Sequence, residues 1–349
     1  MNAIIAYIGT YTEKDSQGIY KAVIDPKTKV IQSVELATEI KHPTYLSVTK
    51  DANYLYTISM SGENGSLSSF QIDSDFNLKS INSVTIDGPP NSHIHLDSTE
   101  EHLLCANYRK GAVEIYPIQP DKSLGEPSTI RYHEGKGPHK KRQKQSHVHY
   151  ITSSSDNKYI YTLDLGADML VVYEFKNGTI TLDPKRTLPF KSGSGPRHLS
   201  FHPQENYAYV LCELTSEINV LEYNSKKNKF TIIQTLSTLP KDFKKENLGS
   251  AIHVSPDGNY LYASNRGHNS IVCYKIQDNI GTLKLLSHTD TLGELPRDFN
   301  IHPSGEFLIA SNLESNTLVS FEIDKASGHL TPVGQPIKVP SPSCVKFVN

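Results

Sequence analysis

The sequence predicts an all-β fold: a seven-bladed β-propeller with four antiparallel strands per blade, in a single domain spanning residues 1–349. Three observations predict it. A strand–turn–strand unit recurs at intervals of 47 to 57 residues. The first strand of each unit alternates between apolar and polar residues. Each chain end carries one apolar strand without a partner, and the two together complete one further unit.

Six residues open the second strand of successive units: Tyr54, His102, Tyr159, Tyr207, Tyr260 and Phe307. Turn sequences such as Ser255-Pro256-Asp257-Gly258-Asn259 and His302-Pro303-Ser304-Gly305 precede these anchors. Asp, Asn, Pro and Gly favour such turns by bonding their own backbone or by fitting its dihedral angles. Eight residues before the anchors stand Leu46, Ile94, Ile151, Leu199, Ile252 and Phe299; six before stand Val48, Leu96, Ser153, Phe201, Val254 and Ile301. All but Ser153 are apolar. Between them, seven before the anchors, stand Ser47, His95, Thr152, Ser200, His253 and Asn300, all polar. A period of two marks a strand with one buried face.

Two more strands follow in each unit, at 217–223 and 230–236 in the fourth and at 270–276 and 283–286 in the fifth. Four antiparallel strands make a propeller blade. A helical repeat of similar length would need sustained 3.6-residue periodicity, which is missing. Residues 4–9 resemble a second strand, and residues 342–348 a first strand. Their pairing supplies the seventh blade, closes the ring and removes the exposed edges of an open array. The alternative, six blades with frayed ends, leaves both apolar strands unburied. The Trp-Asp and Gly-Gly blade signatures are absent.

Composition narrows the function. With 35 Lys plus Arg against 37 Asp plus Glu, the chain lacks the basic footprint of a nucleic-acid binder. No basic segment followed by a long apolar run opens the chain, so the expectation is a cytoplasmic protein with no membrane partner. Cys105, Cys212, Cys273 and Cys344 are far apart and form no CxxC pair. They read as buried free thiols rather than as a zinc site. The longest interval carries an insertion at 135–146 in which six of twelve residues are Lys, Arg or His. It is either a solvated loop or a basic lip that draws in an anion.

Charged exceptions to the blade pattern mark the candidate site. Six residues past the anchors stand Met60, Tyr108, Leu165, Glu213, Arg266 and Leu313; ten before stand Thr44, Ser92, His149, Arg197, Ser250 and Arg297. Equivalent positions lie at similar heights around one axis. His149, Arg197, Glu213, Arg266 and Arg297 therefore converge at one mouth of the central channel, with His253 slightly deeper. Buried charges without a task are costly. Several Arg around one Glu make a cationic pocket suited to a carboxylate or phosphate. His147, His149 and His253 lack a convincing fourth metal ligand, so no metal is expected. No GxSxG elbow, P-loop or GxGxxG motif occurs.

At these residues the sequence resembles the seven-bladed propeller lactonases, which include cycloisomerase-type 6-phosphogluconolactonases and fungal carboxy-muconate lactonizing enzymes. The resemblance rests on Arg142-Gln143, Ser146-His147-Val148-His149, Asp164-Leu165-Gly166, Gly195-Pro196-Arg197-His198, Glu213-Leu214, the run from Ile252 to Gly258, Asn265-Arg266 and Pro296-Arg297. It implies catalytic roles for His149, Arg197, Glu213 and Arg266, with His147 a second candidate for the His. It implies substrate contacts for His147, His253, Arg297, Arg142 and Asp164. It implies hydrolysis of a small anionic lactone without a cofactor, foremost 6-phospho-D-glucono-1,5-lactone of the oxidative pentose phosphate pathway. A different lactone or a lactonizing reaction is the alternative, and a non-catalytic binding scaffold is the third reading. Glu213 between two Arg is expected to be a poor base, so His149 is expected to activate water and Glu213 to orient. Oligomeric state is not legible.

Overall fold

A computed structural model describes residues 3–204, 206–224, 226, 229–278 and 280–348. Glu205, in the turn before Tyr207, lies outside them. Every regular element among the described residues is a strand, and the strands form seven antiparallel sheets. In chain order the innermost strands of the first six blades are Leu46–Val48, His93–Leu96, Val148–Ser153, Pro196–Phe201, Leu248–Val254 and Pro296–Ile301. Each pairs with the strand that opens at its anchor, and two further strands run outward. The third blade carries one extra short strand, Leu188–Pro189, beside Met169–Lys176.

The chain ends pair as the sequence predicts. Pro342–Phe347 lies antiparallel to Ile4–Thr10, with Lys346 opposite Tyr7 and Val345 opposite Ile8. Gly18–Ile24 and Ile31–Glu39 complete this seventh blade. Its innermost strand comes from the C-terminus and its other three from the N-terminus. No helix among the described residues is long and apolar enough to cross a membrane.

The core lies between neighbouring blades. Tyr161, Leu163, Leu170 and Val172 of the third blade pack against Leu199, Ala208, Val210 and Leu221 of the fourth. These are the alternate apolar positions of the repeat, and each Val or Leu among them stabilises the stack by about 1.5–3 kcal/mol when fully buried. All four cysteines are buried free thiols. A tyrosine two residues past the anchor latches several blades to the next. Tyr7, Tyr56, Tyr209 and Tyr262 are fully buried, and their hydroxyls donate to the carbonyls of Phe76, Lys122, Gly281 and Gly328. Burying a phenol is tolerable only with its hydroxyl bonded. Gly328 has φ +74° and a Cβ there would stand 2.4 Å from the Tyr260 ring, so this turn requires glycine.

Candidate active site

Strict alternation places one face of each innermost strand in the channel. Near the upper mouth a β-bulge breaks that alternation in several blades. The register skips between Val148 and Tyr150, between Pro196 and His198, and between Pro296 and Asp298. The residues left between are His149, Arg197 and Arg297. A bulge inserts one residue and re-aims its side chain. Here it turns three basic groups toward the axis. The second strands contribute from their ends: Glu213 and Arg266 line the same cavity. The seventh blade, absent from the sequence tally, adds Ser343 and Tyr11 at the equivalent positions. The cavity holds about 360 Å³.

Glu213 is its electrostatic centre, with 1% of its surface exposed. Its Oε2 accepts from Arg197 Nε at 2.9 Å and from Arg266 Nη2 at 2.8 Å, and its Oε1 accepts from Arg142 Nη2. Burial alone would raise this carboxyl. Arg266, Arg197, Arg142 and Arg297 outweigh it and hold the group at about 2. Arg197, 3% exposed, also donates through Nη1 to Ser250 O at 2.7 Å and lies 3.0 Å from His198 Nε2. Burial, Arg266 and Arg297 push Arg197 down to about 9, which leaves it cationic at neutral pH. Arg266 further donates to Gly249 O at 2.9 Å. Arg297 lies over the Tyr11 ring, 5.4 Å from its centroid, and has no carboxylate partner among the described residues.

His149 is 6% exposed, and its Nδ1 is buried without a hydrogen-bond partner. Burial first, then Arg197 and Arg297, push it well below the usual imidazole range. It is a neutral imidazole at physiological pH, and no carboxylate among the described residues holds its tautomer.

Arg142 reaches the cavity because the insertion is pinned underneath. Gln143 is fully buried and donates through Nε2 to Leu165 O and to Asp168 Oδ1, at 2.9 and 2.8 Å. Asp168 also accepts the backbone N–H groups of Gly193 and Gly195, both at 2.7 Å. One buried carboxylate thus fixes both the loop that delivers Arg142 and the segment that leads into Arg197. Gly195 has φ +64°, and a Cβ there would meet Leu214 Cγ at 2.6 Å. The other basic residues of the insertion, Lys136, His139, Lys140, Lys141 and Lys144, are exposed and do not line the cavity.

The sequence-predicted residues separate into two groups. His149, Arg197, Glu213, Arg266, Arg142 and Arg297 meet in one cavity. The other three expected substrate contacts do not line it. Asp164 is fully buried beneath the site, where it accepts from Ser146 Oγ and from the N–H groups of His147 and Ala167, and bonds His133. All of its capacity goes to holding the strand end. His147 stacks on Tyr108, with centroids 4.2 Å apart, and its Nδ1 donates to Tyr108 O at 2.7 Å. It braces the cavity wall, while His149 faces the cavity. His253 lies in a second cavity further down the channel, because strict alternation, not a bulge, governs its position.

Sequence reasoning missed a layer nine residues before the anchors. Tyr45, His93, Tyr150 and His198 occupy that position in the first four blades and form one cluster of rings, with neighbouring centroids 4.3 to 6.5 Å apart. Tyr45 and His198 line both cavities, so this layer is the floor of the upper one. The signal was present as a fourth column of the repeat. Asn91 and Asp298 also line the upper cavity. Asn91 stands eleven residues before its anchor, in the loop ahead of His93–Leu96.

The chain as a whole is similar to known proteins. The chain is 40% identical to Bacillus subtilis 6-phosphogluconolactonase over 350 residues, covering 100% of this chain and 99% of the relative. A crystal structure of a Lactobacillus plantarum protein superposes with a TM-score of 0.93 at 32% identity, covering 99% of each chain. The Pseudomonas aeruginosa periplasmic gluconolactonase superposes with a TM-score of 0.92 at 28% identity, covering 100% of this chain and 99% of that one. The family model for the lactonases with a seven-bladed β-propeller matches residues 5–347, and the chain belongs to that family.

Proposed function

We propose that the chain hydrolyses 6-phospho-D-glucono-1,5-lactone to 6-phosphogluconate. The observation that carries this reading is the cavity in which three arginines share one glutamate while a fourth, Arg297, has no carboxylate partner among the described residues. The full-length similarity to the Bacillus subtilis 6-phosphogluconolactonase supports the same substrate.

The roles follow from the charges. Glu213, held near 2, is ionised and saturated with donors, so it orients the guanidinium groups rather than moving a proton. Arg197 Nη2 and Arg266 Nη1 carry no bond to another described residue and serve as preorganised donors to the developing oxyanion. His149, neutral and cavity-facing, takes a proton from the attacking water. Water adds at C1, the C1–ring-oxygen bond breaks, and the ring oxygen takes up a proton. The products are a carboxylate and one released proton. Arg297 holds the phosphate.

Proton release from freshly prepared lactone, followed with and without chelator, tests the reading. Turnover that survives chelation and collapses in Arg197→Ala supports it; absence of turnover ends it. A second reading is an unphosphorylated sugar lactone, favoured by the likeness to the Pseudomonas aeruginosa gluconolactonase. A substrate pair with and without the phosphate separates the two. Arg297→Met should raise KM for the phosphorylated lactone by about ten- to a hundredfold, the loss expected for a charged hydrogen bond, and leave the unphosphorylated one nearly unchanged.

A further inference from the structure

Below the floor of aromatic rings the channel opens again. Two adjoining cavities of about 250 and 230 Å³ share Ser47 and Lys346. Their lining follows the polar column seven residues before the anchors. Pairing of the chain ends adds a seventh member to that column: Lys346 lies opposite Tyr7 just as Ser47 lies opposite Tyr56 and His253 opposite Tyr262. The complete ring is Ser47, His95, Thr152, Ser200, His253, Asn300 and Lys346, one from each blade.

Lys346 is the one lysine of this ring. It is half-buried, its Nζ lies 4.7 Å from the Tyr45 ring centroid and 3.5 Å from the Tyr45 hydroxyl, and it has no carboxylate partner among the described residues. No Asp or Glu lines either lower cavity. Two acids flank the ring from outside the lower cavities: Asp298 Oδ1 lies 4.0 Å from His253 Nε2 and lines the upper cavity, and Asp97 acts on His95. Among the other ring members Ser200 Oγ accepts from Val254 N at 3.1 Å and keeps its own hydrogen to donate, Thr152 Oγ1 and His95 Nε2 share a 3.2 Å bond, and Asn300 Nδ2 already donates to Val345 O at 3.0 Å, so the hydroxyls of Ser47 and Ser200 are the donors left to a ligand. An ammonium withdrawn from water without a counter-ion is unfavourable, and an anion beside it would offset that cost. A ring that served only to hold water would need no charge.

We propose that the lower channel is a second binding site, distinct from the lactone cavity, for a phosphate-sized oxyanion held by Lys346 and the hydroxyls around it. The inference does not depend on which lactone the upper cavity takes. Titration of inorganic phosphate, followed by calorimetry, reads it directly. The wild type is expected to show two classes of site. Arg297→Met should weaken the upper one alone. Lys346→Met should weaken the lower one about ten- to a hundredfold, and Ser47→Val should weaken it about tenfold, without loss of the upper one. Because Lys346 lies on the ring-closing strand, Ser47→Val carries the test if Lys346→Met fails to fold. Selenate in crystals should give an anomalous peak within hydrogen-bond distance of Lys346 Nζ. A phosphate isotherm that neither Lys346→Met nor Ser47→Val changes overturns the proposal, and so does selenate confined to the upper cavity.

Discussion

Glu213 sets the behaviour of the site at the scale of single residues. Its carboxylate neutralises only part of the surrounding positive charge, so its removal unbalances three arginines at once. Glu213→Gln should cost about 3–5 kcal/mol of stability, as expected when one partner of a buried ion pair is lost, and should lower kcat by two orders of magnitude or more. Denaturant unfolding and initial rates check both. The histidines respond to pH in a definite direction. His93, His149 and His198 are all pushed well below 6.5, each first by burial. Below pH 6.5 the unfolded chain binds protons that the folded chain does not, so stability must fall as the pH falls. Each group contributes up to about 1.4 kcal/mol per pH unit in that window. A urea midpoint unchanged between pH 7 and pH 5 would contradict this. The acid limb of kcat/KM should likewise lie well below 6.5, since His149 stays neutral there.

At the scale of elements, the bulges and the insertion convert a regular scaffold into a site. The bulges at His149, Arg197 and Arg297 turn basic side chains toward the axis that strict alternation would send elsewhere. The insertion adds Arg142 from above, held by the Gln143–Asp168 contact. Asp168→Ala should cost about 1–3 kcal/mol by orphaning the backbone donors of Gly193 and Gly195. It should also raise KM more than it lowers kcat, because it loosens Arg142 and the approach to Arg197 without removing a reacting group. Asp168→Asn, which keeps an acceptor, should recover part of the loss. Equal activity in Asp168→Ala and wild type would show that the insertion does not position the site.

For the whole molecule, closure of the ring brings the distant columns together. The seventh blade joins Pro342–Phe347 to Ile4–Thr10 and thereby completes the upper cavity with Tyr11 and Ser343 and the lower one with Lys346. Deleting residues 342–349 should open the edge of Ile4–Thr10 in the seventh blade and uncover apolar faces of the sixth and first blades, and the shortened chain should lose cooperative unfolding and aggregate. A soluble, cooperatively folding product with wild-type turnover would show that the ring does not depend on its closing strand.

Much of this architecture is local and therefore legible in the chain. Period-two alternation, turn chemistry and the recurrence of anchors state the strands, the blade and the blade number, because each arises from residues within one unit. The height of the site was legible for the same reason: Glu213 and Arg266 share one column, and His149, Arg197 and Arg297 share another. Direction was not. Asp164 and His147 carry the right chemistry, but their bonds are spent on holding neighbouring strands, and His253 follows the alternation into the lower cavity. The sequence alone determined what the repeat is and which residues break it. Only the tertiary structure decided which way each exception points, because a one-residue bulge reverses the facing of a strand and closure of the ring alone sets opposite blades across a common axis.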